Sequence, residues 1–186
     1  RMSVTGSVLY YSGYGHTEKV ALALASGGKA DTVIALPQTG LLTEDQWTAL
    51  DRSDFIAFAA PTYMGSLAAP FKVFMDASSK RWGAAAWKDK IAGGLVNSGG
   101  LSGDKLLSMM QLVVFSQQHG MIWVGPGLMS AGKGDGDVNR LSSYTGVMTQ
   151  SDNGPPSDTP PIGDLETASL YGVRLRLATE RWVKGA

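Results

Sequence analysis

Short apolar runs alternate with helical patterns along almost the whole of this chain, and this alternation limits its possible folds more than any other feature. The runs resemble strands in length and composition, and they cover residues 7–11, 31–36, 54–60, 91–96 and 121–124. Helical patterns follow them at residues 17–24, 43–51, 70–78, 104–118 and 165–183. Strands that are apolar throughout are typical of a parallel sheet covered by helices on both faces. The sequence therefore predicts a single three-layer α/β domain over residues 1–186.

Three loops between these elements are unusually rich in glycine and polar residues. They cover residues 12–17, 61–65 and 97–103, directly after the first, third and fourth predicted strands. A five-stranded parallel sheet with the order 2-1-3-4-5 brings the carboxyl ends of these strands together, and open α/β sheets bind ligands at such a point. We therefore expect one ligand site built from the three loops.

The composition excludes several classes of function. The chain has no cysteine, so disulfides, thiol nucleophiles and iron–sulfur ligation are excluded, and its two histidines are too few for a histidine-built metal site. Lys and Arg number 16, as do Asp and Glu, which leaves no basic field for nucleic acid or an anionic membrane. No apolar run approaches the ~20 residues of a membrane helix, and no signal-peptide pattern opens the chain. We expect a cytoplasmic protein whose partners are small molecules and whose redox chemistry, if any, comes from a bound cofactor.

The first glycine loop has the features of a phosphate site. It reads Ser12, Gly13, Tyr14, Gly15, His16 and Thr17, and it leaves a strand and opens a helix, whose N-terminus favours anions. No cation precedes Lys19, which suits a phosphomonoester held by neutral donors better than a transferable phosphate. An ordinary capped helix start is the structural alternative. The dinucleotide fingerprint is disfavoured because Glu18 occupies the third glycine position, and residues 127–134 lack the Ser or Thr of a P-loop.

Several motifs together resemble the WrbA-type NAD(P)H:quinone oxidoreductases of the flavodoxin-like superfamily. They are the first loop, the Pro-Thr-Tyr-Met-Gly segment at 61–65, Trp82 and the His-Gly-Met segment at 119–121, and the similarity runs from about residue 7 to 182. The resemblance implies a flavodoxin-like fold, non-covalently bound FMN, and homo-oligomers, either dimers or tetramers. It also implies that two electrons pass from NAD(P)H to a quinone-like acceptor by a ping-pong mechanism.

The resemblance also implies roles for individual residues. Residues 12–17 would hold the FMN phosphate and ribityl chain. Two further groups would flank the isoalloxazine ring: Pro61, Thr62, Tyr63, Met64 and Gly65 on one side, and Asn97, Ser98, Gly99 and Gly100 on the other. Trp82 and His119 would lie over the ring at a subunit contact, and with Tyr63 they are the candidate catalytic residues. His119 would hydrogen-bond to the acceptor oxygen or supply a proton.

Several alternatives stay open at this level. Trp82 could simply pack after a helix, and His119 could satisfy the end of the 104–118 helix. Tyr63-Met64 replaces the Arg-Phe of better-known members, so a cation able to contact a dinucleotide is lost. The function could instead be that of an electron-carrier flavodoxin or of an FMN-dependent azo or flavin reductase. We expect the long segment 126–161 to fold over the site or across a subunit boundary, with residues 152–156 forming only turns.

Overall fold

The computed structural model describes residues 3–185 and contains a parallel sheet with helices on both faces. The strands are β1 (Gly6–Tyr10), β2 (Thr32–Ala35), β3 (Phe55–Tyr63), β4 (Ser66–Leu67), β5 (Ile91–Ser98), β6 (Ile122–Trp123) and β7 (Val147–Gln150). The helices are α1 (His16–Gly28), α2 (Glu44–Arg52), α3 (Ala69–Ala77), α4 (Ser79–Gly83), α5 (Lys105–Gln118) and α6 (Ile162–Lys184). Among these residues no helix combines the length and the apolar character needed to cross a membrane.

The order of the main strands is β2-β1-β3-β5-β6, and all of these pairs are parallel. This confirms the predicted order 2-1-3-4-5, with β5 and β6 as the fourth and fifth predicted strands. The chain turns to one side of β1 to form β2 and then crosses to the other side to form β3. The carboxyl end of β1 is therefore the topological switch point of the sheet.

Two short strands add to the predicted sheet. β4 pairs antiparallel with the end of β3, and β7 pairs in parallel with β5. β6 covers only the start of β5, where Ile122 is opposite Ile91, and β7 covers its end, where Val147 is opposite Leu95. The fifth position of the sheet is thus shared by two strands separated by residues 124–146. β7 lies in the segment 126–161, for which the sequence predicted no strand. The four residues of β7 are too few to give a recognisable apolar pattern.

Successive residues of each strand point to opposite sides of the sheet, and an apolar cluster covers each side. On one face, Val8 of β1 packs in a cluster with Leu24 of α1 and Tyr171 of α6. On the other face, Leu9 lies in a cluster with aromatic residues, among them Phe58 of β3, Trp47 of α2, Phe74 of α3 and Trp87. Fully burying one large apolar side chain contributes about 1.5–3 kcal/mol, so these clusters hold the strand ends in place.

Helix α1 is held close to α6 by glycine. A Cβ atom at Gly172 of α6 would lie 2.1 Å from the carbonyl oxygen of Leu24, and one at Gly27 of α1 would lie 2.0 Å from that of Ser169. Real Cβ atoms do not approach so closely, so the two helices can pack at this distance only without side chains there. The contact fixes the axis of α1 and so aims its N-terminus at the end of β1.

Candidate functional site

A cleft of about 620 Å³ lies at the carboxyl ends of β1, β3 and β5. It is lined by residues 12, 14, 16 and 17 of the first loop, 61–63 of the second, 97–99 of the third, and 151–156. Ligand pockets for small molecules commonly span 300–1,000 Å³, so the cleft has room for a nucleotide-sized ligand. The three predicted loops therefore meet at one site.

The first loop presents a helix N-terminus to this cleft. Gly15 is the N-cap of α1 and has a φ of 89°, a left-handed conformation that favours glycine. It offers no side chain to the first N–H groups of the helix, which can therefore serve an anion. The Ser12 hydroxyl accepts a hydrogen bond from the Gly15 N–H at 3.0 Å and so holds the turn closed. Thr17, in the first turn, is buried and also lines the cleft.

The second loop is a tight hairpin between β3 and β4. Met64 and Gly65 have φ angles of 49° and 78°, so both central residues of this turn are left-handed. Met64 is fully exposed, and neither residue lines the cleft. A left-handed methionine is uncommon, and such strain often occurs beside functional sites. The turn leaves Pro61, Thr62 and Tyr63 facing the cleft.

Two tyrosines form an aromatic corner in the cleft. The rings of Tyr14 and Tyr63 meet edge to face with centroids 6.2 Å apart. Gly13 does not line the cleft but allows this contact, because a Cβ atom there would lie 2.5 Å from the Tyr63 hydroxyl oxygen. Burial raises the pKa of Tyr63, with smaller contributions from Tyr11 and Tyr14, so its hydroxyl stays protonated at neutral pH. The corner offers flat apolar surface together with a hydroxyl donor.

The third loop is held by hydrogen bonds from residues 149–151 and by one within the loop. The amide oxygen of Asn97 accepts bonds from the hydroxyls of Thr149 and Ser151 at 2.7 and 3.1 Å. Gly99 accepts from the side chain of Gln150 at 2.9 Å, and the Ser98 hydroxyl donates to the Gly100 carbonyl at 3.1 Å. Gly100 does not line the cleft and serves to close this turn. The loop is therefore rigidly attached to β7.

The segment 151–156 forms the fourth wall of the cleft, and the prediction that residues 152–156 serve only as turns was wrong. His16 Nε2 donates to the carbonyl oxygen of Gly154 at 2.8 Å, and Lys19 Nζ donates to that of Ser157 at 3.3 Å. A Cβ atom at Gly15 would lie 2.7 Å from Pro156 Cγ, which shows how closely the segment lies against the first loop. The sequence pointed to this role only through the length of segment 126–161, which we expected to fold over the site or across a subunit boundary.

Trp82 and His119 lie outside this cleft. They line a second cavity of about 490 Å³ between α3, α4 and α5, together with Met75, Leu107 and Met110. His119 is the C-cap of α5 and lies three residues before β6, at the amino end of the sheet. Because β5 spans about 25 Å at ~3.3 Å per residue, His119 and the third loop lie at opposite edges of the sheet. Within one chain, neither Trp82 nor His119 reaches the cleft of the three loops.

His119 is buried among aromatic rings. It is 4% exposed, its ring centroid lies 4.5 Å from that of Trp87, and its Nε2 is hydrogen-bonded to the Ser78 hydroxyl at 2.9 Å. Desolvation lowers its pKa from 6.5 to about 4, so the imidazole is neutral at neutral pH. Within residues 3–185, its Nδ1 is the buried side-chain polar atom without a hydrogen-bond partner.

The donors of the cleft fit a flavin mononucleotide. Hydroxyls and a helix N-terminus suit its phosphate, the tyrosine corner suits a flat ring, and the polar backbone of the second and third loops suits the ring edge. A carboxylate also lies near this end of α1, but Glu18 accepts a hydrogen bond from the Tyr10 hydroxyl at 2.9 Å and so turns toward β1. In the described part of the chain, no three His, Asp or Glu side chains are grouped to hold a metal ion.

Comparisons with known proteins agree with this geometry. Residues 43–136 match the sequence model of a family described as NADPH-dependent FMN reductase. Flavodoxin FldP of Pseudomonas aeruginosa (strain UCBPP-PA14) is 42% identical over 171 residues, which cover 90% of this chain and 92% of that protein. An NAD(P)H dehydrogenase (quinone) of Chelativorans sp. (strain BNC1) is 27% identical over 195 residues, covering 95% of this chain and 98% of the relative.

A solved structure is similar along nearly its whole length. The crystal structure of the flavodoxin, WrbA-like protein from Agrobacterium tumefaciens has a TM-score of 0.82 to this chain and is 42% identical to it. The match covers 96% of this chain and 99% of that one. The chain therefore belongs to the NADPH-dependent FMN reductase family. It has the flavodoxin-like fold and is a member of the WrbA-type proteins.

Proposed function

We propose that this protein binds FMN non-covalently in the cleft and uses it to pass two electrons from NAD(P)H to a quinone-like acceptor. The observation that carries the proposal is the meeting of an uncapped helix N-terminus with the Tyr14–Tyr63 corner in one cleft. The first suits a phosphate and the second suits a flat ring. The name of the Chelativorans relative, an NAD(P)H dehydrogenase (quinone), supports the same chemistry.

The first loop would bind the phosphate and the ribityl chain. The hydroxyls of Ser12 and Thr17 and the first N–H groups of α1 would donate to the phosphate oxygens. His16, which donates to the Gly154 carbonyl, would tie the fourth wall to this loop and keep the ligand covered. Gly13 and Gly15 would contribute close backbone approach.

The second and third loops would orient the ring. Pro61, Thr62 and Tyr63 would lie along one side, with Met64 and Gly65 shaping the turn that presents them. Asn97, Ser98 and Gly99 would lie along the other, with Gly100 closing that loop. Bound FMN can accept a hydride from a nicotinamide and deliver two electrons to a quinone, and donor and acceptor would use the same cleft in turn. The protein would exclude water and fix the ring.

We further propose that Trp82 and His119 act on the cleft of a neighbouring chain in a homo-oligomer. The second cavity is bordered by exposed apolar side chains, among them Trp82 at 53% exposure, Leu107 and Val114. Apolar patches of this kind commonly mark protein contacts. Because the His119 imidazole is neutral, hydrogen bonding to the acceptor oxygen is favoured over proton supply. The substitution His119→Ala should lower quinone turnover while leaving flavin bound, and unchanged turnover would remove His119 from the mechanism.

An electron-carrier function is the second candidate, because the relative of 42% identity is named a flavodoxin. Carriers that dock to basic redox partners benefit from a strongly acidic surface, which steers association. This chain has a formal net charge of zero and provides little such steering. The charge balance supports the enzyme.

The decisive experiment is a visible spectrum of the protein after incubation with FMN and desalting, followed by anaerobic NADH or NADPH in the same cuvette. The proposal expects a retained flavin band that bleaches and then recovers when benzoquinone is added. Retention without bleaching would favour the carrier, and no retained flavin would refute FMN binding. Faster turnover with azo dyes or free flavin than with quinones would instead indicate an azo or flavin reductase.

A negative charge introduced into the first loop tests whether the FMN phosphate binds there. The substitution Ser12→Asp should weaken FMN binding by at least tenfold because it places a carboxylate beside the phosphate, and riboflavin, which has no phosphate, should be much less affected. Ser26→Asp, at the exposed far end of α1, is the matched control. Equal losses for FMN and riboflavin would contradict this placement of the phosphate.

A further inference from the structure

A buried lysine lies directly behind the third loop. Lys105 is the first residue of α5 and is 1% exposed. Its Nζ donates to the Ser98 hydroxyl at 2.7 Å and to the carbonyl oxygen of Gly100. Ser98 lines the cleft, so the ammonium group is one hydrogen bond behind the cleft wall.

This placement is unfavourable for folding in two ways. A buried ammonium group loses its hydration, and a cation in the first turn of a helix opposes the positive end of the helix dipole. Burial accordingly lowers the pKa of Lys105 from 10.5 to about 8, and the group still carries its charge at neutral pH. Residues that break local rules of stability tend to occur at functional sites.

A buried ion pair lies behind the same loop. Arg140 Nε donates to Asp164 Oδ1 at 2.7 Å, and both side chains are almost fully buried. Arg140 also donates to the side chain of Gln150, which in turn donates to the Gly99 carbonyl. Together with Lys105, the three charged groups sum to one positive charge. In the cleft wall itself the charged carboxylate is that of Asp152, which is exposed and screened by water.

We propose that Lys105 is a positioning residue that holds the third loop and whose buried charge makes FMN in the cleft easier to reduce. This inference rests on the proposed binding of FMN. A hydride from NAD(P)H brings two electrons and one proton, and the ring gains one negative charge until a second proton arrives from solvent. A fixed cation in a low-dielectric wall favours that charge, whereas it does little for the neutral oxidised ring.

The test compares the affinities of the protein for reduced and for oxidised FMN. In Lys105→Met the ratio of these affinities should fall about tenfold, which lowers the two-electron midpoint potential by about 30 mV. Lys105→Arg should keep the ratio within about twofold of the wild type, and Lys88→Met, at an exposed position, should leave it unchanged. The readouts are fluorescence titration of the apoprotein with oxidised FMN and a spectroscopic redox titration of the holoprotein.

The possible outcomes distinguish the role of Lys105 from FMN binding itself. If the wild type retains no FMN, the proposed function fails. If Lys105→Met binds FMN with an unchanged ratio, only the role of Lys105 is refuted. Because Arg140 and Asp164 remain paired in this variant, it should stay folded. Lys105→Gln, which keeps a donor for Ser98, is the second variant, and if both variants fail to fold, Lys105 has a structural role and the inference is overturned.

Discussion

Burial of His119 should make the folded protein acid-sensitive through a single side chain. In the folded state its pKa is lowered from 6.5 to about 4 by desolvation. As the pH falls below 6.5, the unfolded chain takes up a proton that the folded chain does not, so the free energy of unfolding decreases. Stability from this group is fully present above pH 6.5 and is lost as the pH falls toward 4.

The magnitude follows from the size of the shift. Each unit of pKa difference corresponds to about 1.4 kcal/mol, so the linkage accounts for about 2.5 kcal/mol between pH 7.5 and pH 4.5. This is a large share of the ~5–15 kcal/mol by which domains are stable. Carboxylates also titrate in this range, so the contribution of His119 must be isolated by difference.

The assay is urea unfolding followed by tryptophan fluorescence at several pH values, for wild type and His119→Gln. Glutamine can keep the hydrogen bond to Ser78 but does not titrate, so the variant should lose about 2.5 kcal/mol less than wild type on acidification. Parallel pH profiles for wild type and His119→Gln would refute the reasoning.

Three further substitutions test the first loop, the aromatic core and the buried ion pair. Gly15→Ala should weaken FMN binding about tenfold, since φ is 89° and the new Cβ meets a proline ring at 2.7 Å, whereas Gly136→Ala, with open space around it, should not. Trp87→Phe removes the part-buried hydrogen bond of 2.8 Å to Asp51 and should cost about 1–3 kcal/mol in urea unfolding, against about 0.5 kcal/mol or less for the exposed Trp182→Phe. Arg140→Met leaves its carboxylate partner buried and unpaired, so thermal unfolding should show a loss of about 3–5 kcal/mol; a smaller loss would mean that water reaches the pair.

The elements of the fold and the type of sheet could be predicted because the signals for them are local. Apolar strands such as 55–60 and 91–96 are buried on both faces, so their composition alone indicates a parallel sheet. Helix α2 begins at a capping box formed by Thr43 and Gln46, which the sequence signals by residue type and spacing. Such features depend on residues a few positions apart.

Parts of the site could not be predicted, because they depend on distant contacts. Strand β7 has four residues and exists because its backbone completes the ladder of β5. The Asn-Gly-Pro-Pro segment at 153–156 reads as turns, yet it becomes a wall of the cleft through the bond between His16 and Gly154, 138 residues apart. Lysine is usually a surface residue, and only the packing of α5 behind the third loop buries the charge of Lys105.

Residue types and their spacing were enough to predict the α/β class, the strand order and the three loops that meet at the cleft. Long-range packing established which residues complete the fourth wall, that Trp82 and His119 lie at the opposite edge of the sheet from the third loop, and that a net positive charge is buried behind that loop. Burial and desolvation depend on which distant segments pack together, and residue type alone does not specify them.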